Sequence, residues 1–246
     1  MKDLGTAKFI LGIEIDHDKN DGTLMIKQTR YIDDVVERFG QLNSKATDNP
    51  CASKLKLSKT QSPGMVEERA EMQSKPYRFL IGCLLYITTC TRPDIAYVHE
   101  IVYKKQKNGL KVEAFTDADW ESKIDDRRSV SGIMVMIGNA PVVFKSKFQR
   151  TVALSSAEAE YMALSLSATQ IWEDNQGAIA LAKNAGYNSR TKHVDIKHHF
   201  TRENVGKADY IDTKRQLVDL LTKALGTKTH KYLSNASGIK MKITAQ

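Results

Sequence analysis

Four acidic side chains stand at positions where the surrounding pattern predicts the end of a strand or a place within a helix. Asp117 follows the apolar run VEAF at the expected end of a strand, and Glu160 lies in the first turns of a helix. Asp174 stands between a short apolar run and the next helix, and Asp219 lies in the last helix. Because strand ends and helix starts converge on one edge of an α/β layer, these carboxylates are expected to meet.

Clustered carboxylates repel one another unless a cation neutralises them, and oxygen ligands of this kind hold Mg²⁺ or Mn²⁺. Two such ions about 4 Å apart can activate a water molecule and stabilise the leaving oxygen in phosphodiester cleavage. The pattern alone leaves a second interpretation open, because most of the 29 acids must be solvated surface groups. On that interpretation Asp174 is the N-cap of the following helix and Glu160 is a charge on a helix face.

The first hundred residues divide into three segments with different predicted structures. Residues 1–40 indicate a strand, a tight turn, a second strand and a helix, in FILGIEID, NDG, TLMIKQ and the segment from Tyr31 to Phe39. Residues 43–75 are polar and contain two prolines, which is typical of an exposed linker. The segment after Pro76 predicts a buried helix that breaks near Arg92 and Pro93, followed by the start of a second helix.

The elements that must position the acids begin near residue 111. VEAFTDADW predicts one strand, and SGIMVMIGNAPVVFKSK predicts two strands around a turn. Ser155 or Ser156 can cap the next helix, and Glu158 or Glu160 follows where it can accept hydrogen bonds from the free amides. NQGAIALAKNAG predicts another helix, residues 208–211 a short strand, and QLVDLLTKALG a final helix.

Composition excludes several classes of protein. Hydrophobic residues make up 41% and charged residues 27%, which is typical of a folded globular chain. No apolar run approaches the ~18 residues of a membrane helix, and the first residues do not fit a secretory signal, so an intracellular protein without a membrane partner is expected. Three cysteines without a C-x-x-C pair argue against a disulfide framework. The net charge of +8 makes a polyanion a plausible partner.

Ten sequence strings in one order carry a family resemblance. FTDADW, RRSVSG, VALSSAEAEYMAL, DNQGAIALAKN, RTKHVDIKHHF and QLVDLLTKAL together resemble the RNase H domain of copia-type LTR retrotransposon Pol polyproteins. Upstream, MKDLG, FILGIEI, YIDDVVERF and TCTRPDIAYV resemble the C-terminal part of the reverse transcriptase of the same polyprotein. The strings cover nearly the whole chain, which makes the resemblance specific.

The resemblance implies an α/β fold of the RNase H-like type, a mixed central sheet flanked by helices, preceded by an incomplete α+β reverse transcriptase remnant. The expected division is a reverse transcriptase remnant at 1–42, a flexible linker at 43–75 and a shortened helical connection at 76–110. The remaining expected parts are an RNase H-like domain at 111–227 and a C-terminal tail at 228–246.

The resemblance also implies a reaction and its residues. Asp117, Glu160, Asp174 and Asp219 match the catalytic acids of the family and would ligate two Mg²⁺ or Mn²⁺ ions. The expected reaction is hydrolysis of the RNA strand of an RNA–DNA hybrid, without a covalent intermediate or a small-molecule cofactor. The family location is cytoplasmic, in a virus-like particle, or nuclear.

Basic side chains are the candidates for sequence-independent contact with the hybrid backbone. A solvated basic face is the equally open alternative for them. His193, His198 and His199 match the KHxDIxxHF motif of the family and lack a nearby cysteine, so we expect them to contact substrate or to pack rather than to bind zinc. The candidate nucleic-acid-binding residues are Lys145, Lys147, Arg150, Arg190, Lys192, His193, Lys197, His198 and Arg202.

The chain also departs from the family pattern. Met1 aligns with a methionine inside the reverse transcriptase, so the polymerase aspartates are absent, and Asp33 and Asp34 lie downstream of that site. The stretches before FTDADW, between EAEYMALSLSAT and DNQ, and at 203–211 are shorter than in the family. These losses favour an alternative function, that of a non-catalytic, degenerate remnant that at most binds nucleic acid.

Overall fold

Two five-stranded sheets form the framework of the chain. The structure, a computed structural model, describes residues 5–45, 57–93, 99–106, 109–166, 171–183 and 208–241. Within these ranges no helix is both long and apolar enough to cross a bilayer.

The first sheet is antiparallel throughout and combines residues from both ends of the chain. Its strands are β1 (Phe9–Ile10), β2 (Ile13–Asp18), β3 (Thr23–Lys27), β4 (His99–Lys104) and β10 (Ile239–Met241), in the order β1-β2-β3-β4-β10. Helix α1 (Thr29–Arg38) follows β3. The strand-turn-strand-helix pattern predicted for residues 1–40 is therefore confirmed.

The segment between α1 and β4 differs from its prediction. It contains α2 (Val66–Ser74) within the expected linker, and α3 (Tyr77–Cys90), which is exposed over much of its length. Cys83 and Ile87 are the buried residues of α3, whereas Phe79 and Leu85 are more than half exposed, so the prediction of a buried helix was wrong. A strand, β4, stands where the second helix was expected, and residues 94–98 lie outside the described ranges.

The second sheet has the mixed topology that the resemblance implies. Its strands are β5 (Val112–Asp119), β6 (Val130–Ile137), β7 (Ala140–Phe148), β8 (Ile171–Glu173) and β9 (Ala208–Tyr210), in the order β7-β6-β5-β8-β9. The β7-β6-β5 part is antiparallel, and β8 and β9 continue it in parallel. The predicted strands in this region are confirmed.

Helices cover both faces of the second sheet. Helices α4 (Ser156–Leu164) and α5 (Gln176–Lys183) pack on one face, where Met162 and Ala163 contact Ala118 of β5. Helices α6 (Asp219–Thr222) and α7 (Thr227–Ala236) pack on the other, where Leu220 and Leu233 share an apolar cluster with β5 and β6. The chain thus has the expected α/β, RNase H-like arrangement of helices around a mixed sheet.

The C-terminal region is more ordered than the sequence predicts. The run QLVDLLTKALG forms the single turn α6 rather than a long helix, because the chain becomes extended at Lys223. The expected tail at 228–246 contains most of α7 and all of β10, whose Ile239 pairs with Ile101 of β4. Residues 228–241 therefore belong to the folded framework.

Candidate metal centre

Asp117 lies near the end of the central strand of the second sheet and is fully buried. Its position in β5 is opposite Gly132 of β6. The carboxylate accepts a hydrogen bond from the Thr222 hydroxyl and forms an ion pair with Lys223, whose Nζ lies 2.8 Å from Asp117 Oδ1. A buried carboxylate thus marks the edge of the sheet at which helix α6 arrives.

Glu160 is brought to the same edge by α4. The helix begins at its predicted cap, because the Ser155 hydroxyl accepts a hydrogen bond from the Glu158 amide at 3.2 Å. The Glu158 carboxylate in turn accepts one from the Leu154 amide at 2.7 Å. Glu160 then falls on the buried face with 6% of its surface exposed, so it is not a solvated charge on a helix face.

The Glu160 carboxylate is short of partners. Its buried Oε2 has no hydrogen-bond partner within the described part of the chain. Burial, together with repulsion from Glu173 and Asp117, raises the pKa of Glu160 to about 11. An unpaired buried carboxylate is costly, so this side chain is one that a cation would stabilise strongly.

Asp174 follows β8, which runs parallel to β5 and therefore ends at the same edge of the sheet. The cap of α5 is Asn175, whose Oδ1 accepts a hydrogen bond from the Ala178 amide at 3.1 Å. Asp174 is thus not needed as a cap. Its carboxylate joins those of Asp117 and Glu160, and one oxygen from each lies within 4.8 Å of the other two.

Asp219, the fourth predicted acid, is the first residue of α6 and is buried. It lies outside the three-carboxylate group but is joined to it by Lys223, whose Nζ lies 2.8 Å from Asp219 Oδ1. Burial and the charge of Asp117 raise the pKa of Asp219 to about 7, despite the opposing effect of Lys223. All four predicted acids therefore lie at one edge of the sheet.

Three residues of this site were missed by the sequence analysis. Lys223 is signalled by its position four residues after Asp219, the spacing of neighbours on a helix. Glu173 gives no such signal, because its burial depends on the sheet. It accepts hydrogen bonds from the Thr116 hydroxyl at 2.9 Å and the Asn175 amide at 3.2 Å, and burial raises its pKa well above the usual range. Thr222, whose hydroxyl donates a hydrogen bond to Asp117, is the third residue that was missed.

The donor set suits a hard divalent cation. Octahedral Mg²⁺ binds oxygen at about 2.1 Å, which places its ligands roughly 3 to 4 Å apart. One oxygen each from Asp117, Glu160 and Asp174 lies within 4.8 Å of the other two, and the Glu160 side chain also has a buried oxygen without a hydrogen-bond partner among the described residues. The residues present therefore fit a magnesium or manganese ion.

The raised pKa values predict that the metal-free protein becomes less stable as the pH increases. An acid whose pKa is higher in the folded state stabilises the fold below its unfolded pKa and loses that contribution as the pH rises through the folded pKa. For Asp219 the loss extends from its unfolded pKa of about 3.9 up to about pH 7, and for Glu160 it continues toward pH 11. We therefore expect the free energy of unfolding, measured with urea in EDTA, to decrease between pH 5 and pH 9.

Glu160→Gln provides the control for this pH dependence. The amide does not titrate, so the decrease between pH 5 and pH 9 is expected to be smaller than in the wild type. Lys223 does not produce the effect, because its ion pairs raise its pKa against the opposing influence of burial, so it stays charged throughout this range. A free energy of unfolding that increases with pH would contradict the electrostatic description.

Basic residues of β7 flank the same edge of the sheet. Lys145, Lys147 and Arg150 are exposed, as expected of residues that contact a polyanion. Ser146, between the two lysines, pairs with Gly132, which pairs with Asp117, so the backbone of β7 here lies about two strand spacings, roughly 10 Å, from that of Asp117. The lysine side chains alternate with Ser146 and therefore project from the other face of the sheet. The candidates outside the described residues are Arg190, Lys192, His193, Lys197, His198 and Arg202.

Comparison with known proteins identifies relatives of the chain. It is 34% identical over 277 aligned residues to the retrovirus-related Pol polyprotein from transposon TNT 1-94 of Nicotiana tabacum, covering 92% of this chain and 21% of the relative. The corresponding polyprotein from transposon RE1 of Arabidopsis thaliana is 27% identical, with 97% and 19% covered. An uncharacterized mitochondrial protein of Arabidopsis thaliana is 30% identical, with 70% and 80% covered. No protein-family model matches the chain.

The alignments also show how the length of this chain compares with that of its relatives. The chain spans about a fifth of the polyproteins it matches. The TNT 1-94 alignment has 277 positions but uses 92% of a 246-residue chain, so roughly 50 positions have no counterpart in this chain. The matched region is therefore shorter here than in that relative. By these similarities the chain belongs to the family of retrovirus-related Pol polyproteins of transposons.

Proposed function

We propose that the chain is a retrotransposon-derived ribonuclease of the RNase H type, which hydrolyses the RNA strand of an RNA–DNA hybrid with divalent metal ions. The observation that carries this proposal is the convergence of Asp117, Glu160 and Asp174 at one edge of a mixed sheet, with Asp219 joined to them through Lys223. Membership of a Pol polyprotein family supports it, because such polyproteins handle nucleic acid in the retrotransposon cycle.

The roles of the residues follow from their positions. Asp117, Glu160, Asp174 and Asp219 would hold the metal ions, and Ser155 and Asn175 fix the starts of the helices that follow β7 and β8. Bound divalent ions would supply the positive charge that activates water and stabilises the leaving oxygen. Carboxylates that hold metal ions are not free to attack phosphorus, so direct attack by water is the reaction that these residues would favour. The products would be a 3′-hydroxyl and a 5′-phosphate.

A hybrid labelled on both strands tests this function. The full chain is incubated with the hybrid, with double-stranded RNA and with double-stranded DNA, in Mg²⁺, in Mn²⁺ or in EDTA. The proposal predicts cleavage of the RNA strand of the hybrid alone, in metal and not in EDTA, with 5′-phosphate ends. Absence of cleavage by a protein that melts cooperatively would reject the enzyme and favour a non-catalytic remnant that at most binds nucleic acid.

The β7 lysines predict how the hybrid is bound. The Lys145→Glu/Lys147→Glu variant is expected to bind the hybrid more weakly because the charges of two exposed lysines, on a strand two spacings from Asp117, are reversed. Each phosphate contact contributes about 1 to the slope of log Kd against log salt, so the slope should decrease by about 2. Fluorescence anisotropy in EDTA measures binding without cleavage.

Lys8→Glu/Lys19→Glu is the matched control for charge. Both lysines are exposed in the region of the first sheet, and the variant changes the net charge by the same amount. We expect its salt slope to equal that of the wild type. Equal weakening by both variants would mean that the protein attracts the hybrid through net charge alone.

A further inference from the structure

Lys223 divides the carboxylates into two halves. Its ammonium nitrogen lies 2.8 Å from Asp117 Oδ1 and 2.8 Å from Asp219 Oδ1, so one side chain neutralises both. The two acids are buried, whereas the lysine side chain is 31% exposed. A cation therefore already lies between Asp117 and Asp219 in the free protein.

The other half of the site has no such cation. Glu160 and Asp174 form no ion pair within the described ranges, and the buried Glu160 Oε2 has no hydrogen-bond partner there. That oxygen belongs to the side chain that converges with Asp117 and Asp174. This half is thus the one whose charge is left uncompensated by the protein.

We propose that Lys223 is a built-in second cation, so that the free protein binds one divalent ion, at Asp117, Glu160 and Asp174, and not two. This inference rests on the proposed function and concerns the same site. An ion bound between Asp117 and Asp219 would use the oxygens that Lys223 contacts, and two cations in contact repel strongly where water is scarce. The second ion therefore has to displace the lysine.

The charges of the site also predict that one divalent ion binds while Lys223 is in place. Once metal binding has ionised Asp117, Glu160, Asp174 and Asp219, these carboxylates and one ammonium carry a net charge of −3, which one divalent ion reduces to −1. A second ion with the lysine in place would reverse the sign. Without the lysine the four carboxylates match the charge of two divalent ions. The flexible, partly exposed stem of Lys223 allows displacement when a further favourable interaction is present.

Manganese binding to the full chain without nucleic acid tests the proposal. Electron paramagnetic resonance measures free Mn²⁺ during titration and thus the number of bound ions. We expect one ion per wild-type chain and two per chain for Lys223→Met. Lys223→Arg, which keeps the charge, should return the number to one. Lys214→Met is the control, because Lys214 is an exposed lysine outside the ion pairs of this site.

The possible outcomes distinguish the role of Lys223 from the existence of the metal site. Two ions of similar affinity in the wild type would overturn the role of Lys223 and leave the metal site intact. One ion in both the wild type and Lys223→Met would do the same. No bound Mn²⁺ in any folded variant would overturn the metal site itself. If Lys223→Met fails to melt cooperatively, Lys223→Gln, which keeps a hydrogen-bond donor, takes its place.

Discussion

Asp174→Asn is expected to abolish metal-dependent cleavage of the RNA strand while leaving the fold intact. The amide removes a charged ligand from the group formed with Asp117 and Glu160. Loss of metal-ion stabilisation costs several kcal/mol at the transition state, and about 4 kcal/mol corresponds to roughly a thousandfold decrease in rate. Asp174 is half-buried and is not the cap of α5, so its replacement should leave the melting temperature within a few degrees of the wild type.

Single-turnover cleavage of the labelled hybrid with saturating Mg²⁺ measures this effect. Asp34→Asn is the matched control, because Asp34 is an exposed acid of α1 far along the chain from the carboxylates. It should cleave at the wild-type rate. Cleavage by Asp174→Asn within tenfold of the wild type would show that the carboxylate group is not the catalytic centre.

Gly132→Ala is expected to destabilise the protein and to separate Asp219 and Lys223 from Asp117. A Cβ atom at Gly132 would lie 2.5 Å from Val218 Cγ1 and 2.7 Å from Thr222 Cγ2, at the helix that carries the site. These atoms belong to β-branched side chains packed at α6, so the helix must move away from the sheet. Overpacking of this kind typically costs about 1 to 3 kcal/mol.

Urea unfolding and the cleavage assay together measure the effect of Gly132→Ala. We expect a lower free energy of unfolding and at least a tenfold slower cleavage under conditions where the variant is still folded. Gly82→Ala in α3 is the control, because nothing lies within 4 Å of its Cβ position. It should be unchanged or more stable by up to about 1 kcal/mol, since alanine favours a helix. Equal stability of both variants would contradict the close packing of α6 on β6.

Local patterns predicted the elements that hold the acids because those elements lie within continuous stretches of sequence. The alternation in β5, β6 and β7 and the cap at Ser155 depend on residues near one another in the chain. The meeting of Asp117, Glu160 and Asp174 followed from a general rule about edges of α/β sheets. Assignment of individual roles required the family resemblance.

The elements that were predicted wrongly depend on distant contacts. Burial of α3 was inferred from its apolar composition, but among the described residues the elements packed against it leave Phe79 and Leu85 more than half exposed. Strand β10 is added to the first sheet by pairing with β4, about 140 residues earlier in the chain, which no local pattern reveals. The burial of Glu173 depends on the pairing of β8 with β5, where Thr116 donates a hydrogen bond to it, so no local pattern predicts its place in the site.

The connection before Asp174, which the resemblance predicts to be shorter than in the family, still allows the site to form. Helix α4 ends at Leu164 and β8 begins at Ile171, with residues 167–170 outside the described ranges. Tyr161, Leu164 and Ile171 nevertheless share an apolar cluster with Ala178 of α5. The loss of aligned positions relative to the TNT 1-94 polyprotein is therefore compatible with a packed core beneath the carboxylates.

The position of a bound Mn²⁺ ion is the most direct test of a metal centre at Asp117, Glu160 and Asp174. Anomalous diffraction from crystals of the full chain grown in Mn²⁺ would locate the ion without reference to activity. The account predicts an anomalous peak within about 2.5 Å of oxygens from Asp117, Glu160 and Asp174, lost in Glu160→Gln crystals grown in the same way. Well-ordered carboxylates with no anomalous peak among them, or a peak elsewhere alone, would contradict the assignment of this sheet edge as the metal centre.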